Sequence, residues 1–161
     1  MSYSLIVVDM QDYFYASRGK RVRKACIREI KQAMQDQATI LYVEYSPENY
    51  GPTIPQLTNI TNKAKYKKVY HVSKYDNDGG QEVVDFLTKK HLPKMNLRVC
   101  GVNTNYCVRA TVSGIHHKSP NSNIHVVADA CDCSTLDGHK YGLSDMKSNA
   151  NVKILNNKGW V

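Results

Sequence analysis

The sequence lacks the glycine-rich signatures of common nucleotide-binding sites. No Gly-x-Gly-x-x-Gly follows the first apolar run, which argues against dinucleotide binding, and no phosphate loop ending in Gly-Lys-Ser/Thr is present. No apolar stretch is long enough to span a membrane, so we expect no membrane partner. Internal repeats and a linker long enough to divide the chain are also missing. At 161 residues, the chain is expected to form one domain over residues 1–161.

Acidic residues are scarce relative to basic ones. Lys and Arg number 22 and Asp and Glu number 14, so the net charge is +8 at pH 7. Residues 63–68, which read Lys-Ala-Lys-Tyr-Lys-Lys, concentrate part of this charge. We interpret this run as a solvated face, with a polyanion-binding patch as the alternative. We expect a small-molecule substrate in preference to nucleic acid, although the charge would permit an acidic ligand, or loose attraction to nucleic acid or an anionic surface.

A secretory leader is another missing feature. Residues 1–8 are too few for a signal peptide, and Asp9 interrupts their apolar run. The five cysteines, an odd number, do not suggest a framework of disulfides. We therefore expect a cytoplasmic protein with reduced thiols.

Short apolar runs alternate along the chain with amphipathic segments. The runs are typical of buried parallel strands, and the alternation predicts an α/β fold with a doubly wound, mostly parallel sheet. Residues 18–23 are predicted to be a basic loop, and residues 46–55, with three prolines and a glycine, are predicted not to be helical. Predicted helices cover residues 25–38, 81–89 and 136–146, and predicted strands cover residues 4–11, 39–44, 69–74, 124–130 and 151–155.

Residues 99–111 contain the strongest candidate for a reactive group. Apolar residues lead to a glycine and to Asn103, where a strand is predicted to end, and Asn105 is predicted to cap a helix that carries Cys107. A thiol in the first turn of a helix lies near the positive end of the helix dipole, which favours the thiolate. Cys107 is thus a candidate nucleophile beside free backbone N–H groups. The alternative is a buried core thiol.

Two charged side chains are predicted at the same edge of the sheet as the thiol. Asp9 ends the first strand and Lys74 ends the third, and ligands bind at the carboxyl ends of parallel strands. An aspartate can accept a thiol proton, and a lysine can stabilise a thiolate. A phosphatase of the haloacid dehalogenase type would have a second aspartate where this chain has Gln11. A structural turn residue remains the alternative for Asp9, and Lys67 and Lys68 remain rivals to Lys74.

Residues 101–111, Gly-Val-Asn-Thr-Asn-Tyr-Cys-Val-Arg-Ala-Thr, resemble the cysteine motif of the isochorismatase-like hydrolases, a family that includes the nicotinamidases. The Asp9-x-Gln11 ending of the first strand and the Asp129-Ala130 ending of a later one are also similar to that family's pattern. The resemblance runs from about Leu5 to Asp129. It implies a three-layer, Rossmann-like α/β fold.

The family resemblance implies a catalytic triad of Cys107 as nucleophile, Asp9 as base and Lys74 as charge partner. It also implies a cis peptide bond between Val102 and Asn103, so that the N–H groups of Asn103 and Cys107 form an oxyanion hole. The implied reaction is hydrolysis of a small amide through a thioester. We expect a homo-oligomer, either a dimer or a tetramer. Four further residues are expected to line the substrate pocket: Gln11, Phe14, Thr104 and Tyr106.

Three departures from the family pattern keep other functions open. Asn103 replaces a usually small residue, and residues 75–80 are shorter and richer in Asp and Gly than the family's Ser-x-Phe segment. Nicotinamidases bind a metal through an Asp-x-His and a further His, but only Glu44 and Glu48 occupy that neighbourhood here, so we expect no metal and no other cofactor. One alternative is a non-catalytic member of the fold that binds a ligand, nucleic acid or a protein. The other is a vinyl ether hydrolase, which would not need the cysteine.

Overall fold

The computed structural model describes residues 2–155. In chain order the strands are β1 (Ser4–Val8), β2 (Thr39–Tyr45), β3 (Val69–Lys74), β4 (Asn96–Val102), β5 (Asn123–Asp132) and β6 (Val152–Leu155). The α-helices are α1 (Lys20–Gln35), α2 (Pro47–Tyr50), α3 (Pro55–Lys63), α4 (Gly80–Lys89), α5 (Arg109–Lys118) and α6 (Leu136–Lys147). The strands form one parallel sheet in the order β3–β2–β1–β4–β5–β6. No helix among residues 2–155 combines the length and the apolar character that crossing a membrane requires.

Helices cover both faces of the sheet, which accounts for the apolar runs in the central strands. In β1, Leu5 and Val7 belong to a core with α1 and α3, whereas Ile6 and Val8 belong to a second core with α4, α5 and α6. All four side chains are fully buried. A strand buried on both faces needs apolar residues at successive positions, so its sequence does not alternate. The predicted three-layer α/β fold with a doubly wound sheet is confirmed.

The parallel sheet brings the carboxyl ends of its strands to a single edge. Asp9 follows β1, Lys74 ends β3 and Asn103 follows β4 at this edge. Gly101 in β4 has a φ of 122°, and a Cβ there would overlap the carbonyl oxygen of Val8. Glycine is therefore required at this position, since it allows the ends of β1 and β4 to lie side by side.

Three local predictions are wrong, and each error concerns the start of a helix. α1 begins at Lys20, so most of the predicted basic loop over residues 18–23 is helical. Residues 46–55 contain α2 and the first residue of α3, because proline in the first helical turn costs no hydrogen bond. Asn105 does not cap a helix: a π-helical turn, Thr104–Val108, begins directly after Asn103 and continues into α5.

Candidate active site

An aspartate and a lysine meet, fully buried, at the carboxyl edge of the sheet. Nζ of Lys74 lies 3.1 Å from Oδ2 of Asp9, and the two side chains are 0% and 1% exposed. Asp9 has a φ of 50°, a left-handed conformation, and its N–H donates to the carbonyl of Val43. The Lys74 ammonium also donates to the carbonyls of Asp76 and Asn77, at 2.8 and 3.2 Å. The buried cation is thus surrounded by oxygen atoms, which offset its loss of solvation.

The segment after β3 closes over Lys74 and is held by α5. A Cβ on Gly79 would lie 2.6 Å from Cδ of Lys74, so a larger residue there would displace the lysine. Oγ1 of Thr111 accepts the N–H of Gly79 at 3.0 Å and donates to the carbonyl of Asn77 at 3.4 Å. The threonine that ends the cysteine motif therefore supports the wall of the lysine site.

Cys107 lies in the π-helical turn that follows the Val102–Asn103 peptide bond, which is cis. The carbonyl of Asn103 accepts two N–H groups of this turn, both at 3.1 Å, and these hydrogen bonds hold the turn against β4. Cys107 is 8% exposed, and its Sγ lies 3.7 Å from Oδ1 of Asn77. The thiol therefore faces the segment after β3 and has little contact with solvent.

Burial controls the protonation of both Cys107 and Asp9. Burial, with a smaller contribution from the Asp9 carboxylate, raises the pKa of the Cys107 thiol to about 12. Burial also raises the pKa of Asp9, although the charge of Lys74 acts in the opposite direction. At neutral pH the resting cysteine is therefore a thiol, and burial makes the neighbouring Asp9 a better proton acceptor than an exposed aspartate. Burial of Cys107 thus opposes the thiolate that its position at a helix start favours.

A cavity of about 190 Å³ lies beside the thiol. It is lined by Cys107, by Asn77 and by four aromatic residues: Tyr13, Phe14, Tyr45 and Tyr50. The rings contact one another, with centroids 4.4 Å apart for Tyr13 and Tyr50 and 5.4 Å apart for Tyr45 and Tyr50. Nζ of Lys74 lies 4.8 Å from the centre of the Tyr45 ring. The cavity thus combines an aromatic wall with a thiol and a side-chain amide.

Of the four residues expected to line the pocket, Phe14 lines the cavity and the other three do not. The buried Gln11 amide instead holds the loop after β2, where it donates to two carbonyls at 2.9 and 2.7 Å. Thr104 is buried against α6, with its Oγ1 2.8 Å from Nδ1 of His139. Tyr106 is 58% exposed and lies outside the lining. Gln11 and Thr104 therefore support the site from behind its walls.

Asn77, Tyr45 and Tyr50 escape detection from the sequence because no motif surrounds them. One signal points toward them nevertheless. Tyr45 ends β2, while Tyr50 and Asn77 follow closely after β2 and β3. Residues in these positions share the carboxyl edge of a parallel sheet, where ligands bind.

The residues near the position of the nicotinamidase metal do not fit a metal ion. Glu44 is buried, with its Oε1 3.1 Å from Nδ1 of His71 and its Oε2 accepting the N–H of Thr53 at 2.6 Å. Both carboxylate oxygens are therefore occupied, and Glu48 is exposed on α2. Within residues 2–155, no group of three or more His, Cys, Asp or Glu side chains could hold a metal.

Comparisons by sequence identify relatives of this chain. A family model described as the isochorismatase domain matches residues 3–156. The chain is 25% identical over 146 residues to isochorismatase domain-containing protein 2 of Xenopus laevis. It is 26% identical over 149 residues to isochorismatase domain-containing protein 2A of Mus musculus. Each match covers 89% of this chain, which spans only 66% of the length of either relative.

Comparisons by structure give the same fold in several solved proteins. A nicotinamidase of Staphylococcus aureus has a TM-score of 0.80 at 18% identity, covering 96% of this chain and 100% of the other. The MAR1 ribonuclease of Caenorhabditis elegans has a TM-score of 0.79 at 19% identity, covering 95% and 76%. A zinc-bound pyrazinamidase of Pyrococcus horikoshii has a TM-score of 0.71 at 21% identity, covering 96% and 99%. Since the family model also matches nearly its whole length, the chain belongs to the isochorismatase family.

Proposed function

We propose that this chain is a metal-independent cysteine hydrolase that cleaves the C–N bond of a small amide. One observation carries the proposal: the Cys107 thiol adjoins the buried Asp9–Lys74 pair beside a cavity of about 190 Å³. This group supplies a nucleophile, a proton acceptor and a cation that compensates the carboxylate. The nicotinamidase and the pyrazinamidase that share the fold support an amide as the substrate class.

The proposed reaction passes through a thioester. Sγ of Cys107 attacks the carbonyl carbon of the amide while the thiol proton passes to Asp9. The N–H groups of Asn103 and Cys107 stabilise the negative charge that develops on the carbonyl oxygen. Asp9 then gives its proton to the leaving amine as the C–N bond breaks. Water attacks the thioester with Asp9 as base, which releases a carboxylic acid and restores the thiol.

The dimensions of the cavity limit the substrate. Its volume of about 190 Å³ is below the roughly 300–1,000 Å³ of most ligand pockets. The rings of Tyr13, Tyr45 and Tyr50 offer flat apolar surfaces, against which a planar ring can stack. The proposed substrate is therefore an amide attached to a single small planar group.

The test is an amidase screen that follows ammonia release from nicotinamide, pyrazinamide and short aliphatic amides. We expect turnover by the unaltered chain and none by Cys107→Ala. The control is Cys133→Ala, the same substitution at a half-exposed thiol, which should keep full activity. Mass spectrometry after an acid quench should detect the acylated Cys107 peptide.

Three outcomes would contradict the proposal. Near-full amidase activity in Cys107→Ala would exclude the thioester. Cleavage of isochorismate that survives Cys107→Ala, without amide turnover, would favour a vinyl ether hydrolase. Ligand binding with no turnover of any substrate would favour a non-catalytic module.

A further inference from the structure

Two lysine-rich segments and Lys118, which are far apart in the sequence, lie along the amino edge of the sheet. Four lysines lie in residues 63–68 before β3, three lie in residues 89–94 before β4, and Lys118 precedes β5. Because all strands are parallel, the segments before them lie at one edge, opposite the candidate active site. Eight of the 22 basic residues of the chain therefore lie on one side of the molecule.

The lysines of this edge are not neutralised by acidic neighbours. None of them forms an ion pair with a carboxylate in the described part of the chain. Two have other partners: Nζ of Lys68 donates to the carbonyl of Gln37, and Nζ of Lys94 donates to Oγ1 of Thr88. Asp36, which also lies at this edge, accepts hydrogen bonds from Tyr3 and Gln32 instead. The positive charge therefore remains available to an external anion.

Helix dipoles explain only part of this arrangement. Lys63, Lys89 and Lys118 lie in the last turns of α3, α4 and α5, where a cation stabilises the helix end. The other five lysines lie outside the helices. Three of these five, Lys65, Lys67 and Lys68, are exposed in a single short loop. Stabilisation of a helix end does not account for these three.

We infer that this amino edge binds the phosphodiester backbone of a nucleic acid strand, independently of base sequence. The segments before β3 and β5 are four strand spacings apart, about 19 Å, which suits a linear polyanion. Tyr66 is the aromatic residue among these lysines, and its hydroxyl donates to the carbonyl of Ala38. Its ring is half-buried and so is poorly placed to stack on a base.

A membrane surface fits this edge less well than a nucleic acid strand. Membrane association uses apolar side chains that insert below the headgroups, as well as basic ones. Among the described residues, Met95, at 47% exposure, is the large apolar side chain exposed at this edge. Other exposed large side chains, such as Tyr13, Tyr75 and Tyr106, lie at the opposite edge.

Fluorescence anisotropy with labelled 20-nucleotide oligo-U RNA and oligo-T DNA tests the inference. The edge variant is Lys65→Gln/Lys67→Gln/Lys90→Gln. The control is Lys20→Gln/Lys24→Gln/Lys31→Gln, which removes the same charge from exposed positions on α1. We expect the edge variant to bind at least about tenfold more weakly at low salt, and the control to bind within about twofold of the unaltered chain.

The dependence of binding on salt gives a second readout. For a single strand, each phosphate contact contributes about −0.7 to the slope of log K against log salt. The edge variant lacks three lysines, so its slope should be less negative by about 2. Equal binding of RNA and DNA shows recognition of the backbone that they share, and a preference for one identifies the favoured type of strand. The inference fails if neither oligonucleotide binds, or if both variants lose affinity equally. It also fails if vesicles containing phosphatidylserine bind and oligonucleotides do not compete with them.

Discussion

Nζ of Lys74 approaches Oδ2 of Asp9 to 3.1 Å in a site where neither side chain is more than 1% exposed. Yet neither oxygen of Asp9 has a partner in hydrogen-bond geometry among residues 2–155. The ammonium directs its hydrogen bonds to the carbonyls of Asp76 and Asn77. Lys74 therefore balances the charge of Asp9 while the carboxylate remains able to accept a proton from Cys107.

The first prediction concerns the contribution of the Asp9–Lys74 pair to stability. Lys74→Met is expected to lower the free energy of unfolding at pH 7 by about 3–5 kcal/mol, because it leaves a buried carboxylate without its partner. Asp9→Asn/Lys74→Met removes both charges and should be markedly more stable than Lys74→Met alone. Urea unfolding of the unaltered chain and both variants measures the difference. If the double variant were no more stable than Lys74→Met, the loss of stability would not come from an unpaired charge on Asp9.

The second prediction concerns the reactivity of the thiol. Asp9→Asn should accelerate alkylation of Cys107 by iodoacetamide at pH 8, because the Asp9 carboxylate helps to raise the pKa of that thiol. In the unaltered chain the rate at Cys107 should rise about tenfold per pH unit from pH 7 to 10, since its pKa is about 12. Peptide mapping by mass spectrometry separates Cys107 from the half-exposed Cys133, the internal control. A rate that levels off near pH 8 would contradict the raised pKa.

The third prediction concerns metals. Exhaustive dialysis against EDTA should leave the amidase activity unchanged, because Glu44 is already occupied by His71 and by the N–H of Thr53. Elemental analysis of the purified chain, which does not depend on activity, should find far less than one zinc or iron per chain. Loss of activity that added zinc or iron restores, or a full equivalent of either metal, would show a site that these residues do not explain.

The fourth prediction concerns the dependence of stability on pH. The hydrogen bond to Glu44 raises the pKa of His71 above its ordinary value. Protonated His71 therefore stabilises the fold fully below a pH of about 6.5, and this contribution is lost as the pH rises through the raised pKa. His71→Gln should thus lower Tm more at pH 5.5 than at pH 8.5. His117→Gln, at an exposed ring that contacts the carbonyl of Ser113, is the control.

Much of the fold could be predicted because the relevant signals are local. Successive apolar residues in β1 reflect its burial on both faces, and the same pattern identifies β2. Prediction failed over residues 46–55, where the prolines begin α2 and α3 instead of excluding them. It also failed at Asn105, since a cap residue and a residue inside a π-helical turn have no distinct local signature.

The candidate site was predictable to a smaller extent. Asp9, Lys74 and Cys107 each end or follow a strand, so the sequence places them at one edge of the sheet. Of the residues expected in the pocket, Phe14 lines the cavity beside Cys107, whereas Tyr106 is exposed outside its lining and Gln11 holds the loop after β2. Which side chain of an edge loop faces inward depends on how neighbouring loops close over one another, and that contact is not local.

By itself, the sequence determined the strand segments, their mostly parallel arrangement and the edge at which a thiol, a carboxylate and an ammonium would lie. Periodicity and burial of apolar residues carry this information within short segments. Only the tertiary structure decided that the thiol is buried, and this burial raises its pKa. It also decided the aromatic wall of the cavity and the placement of lysines from separate parts of the chain along the opposite edge. These features depend on distances between residues that are far apart in the chain.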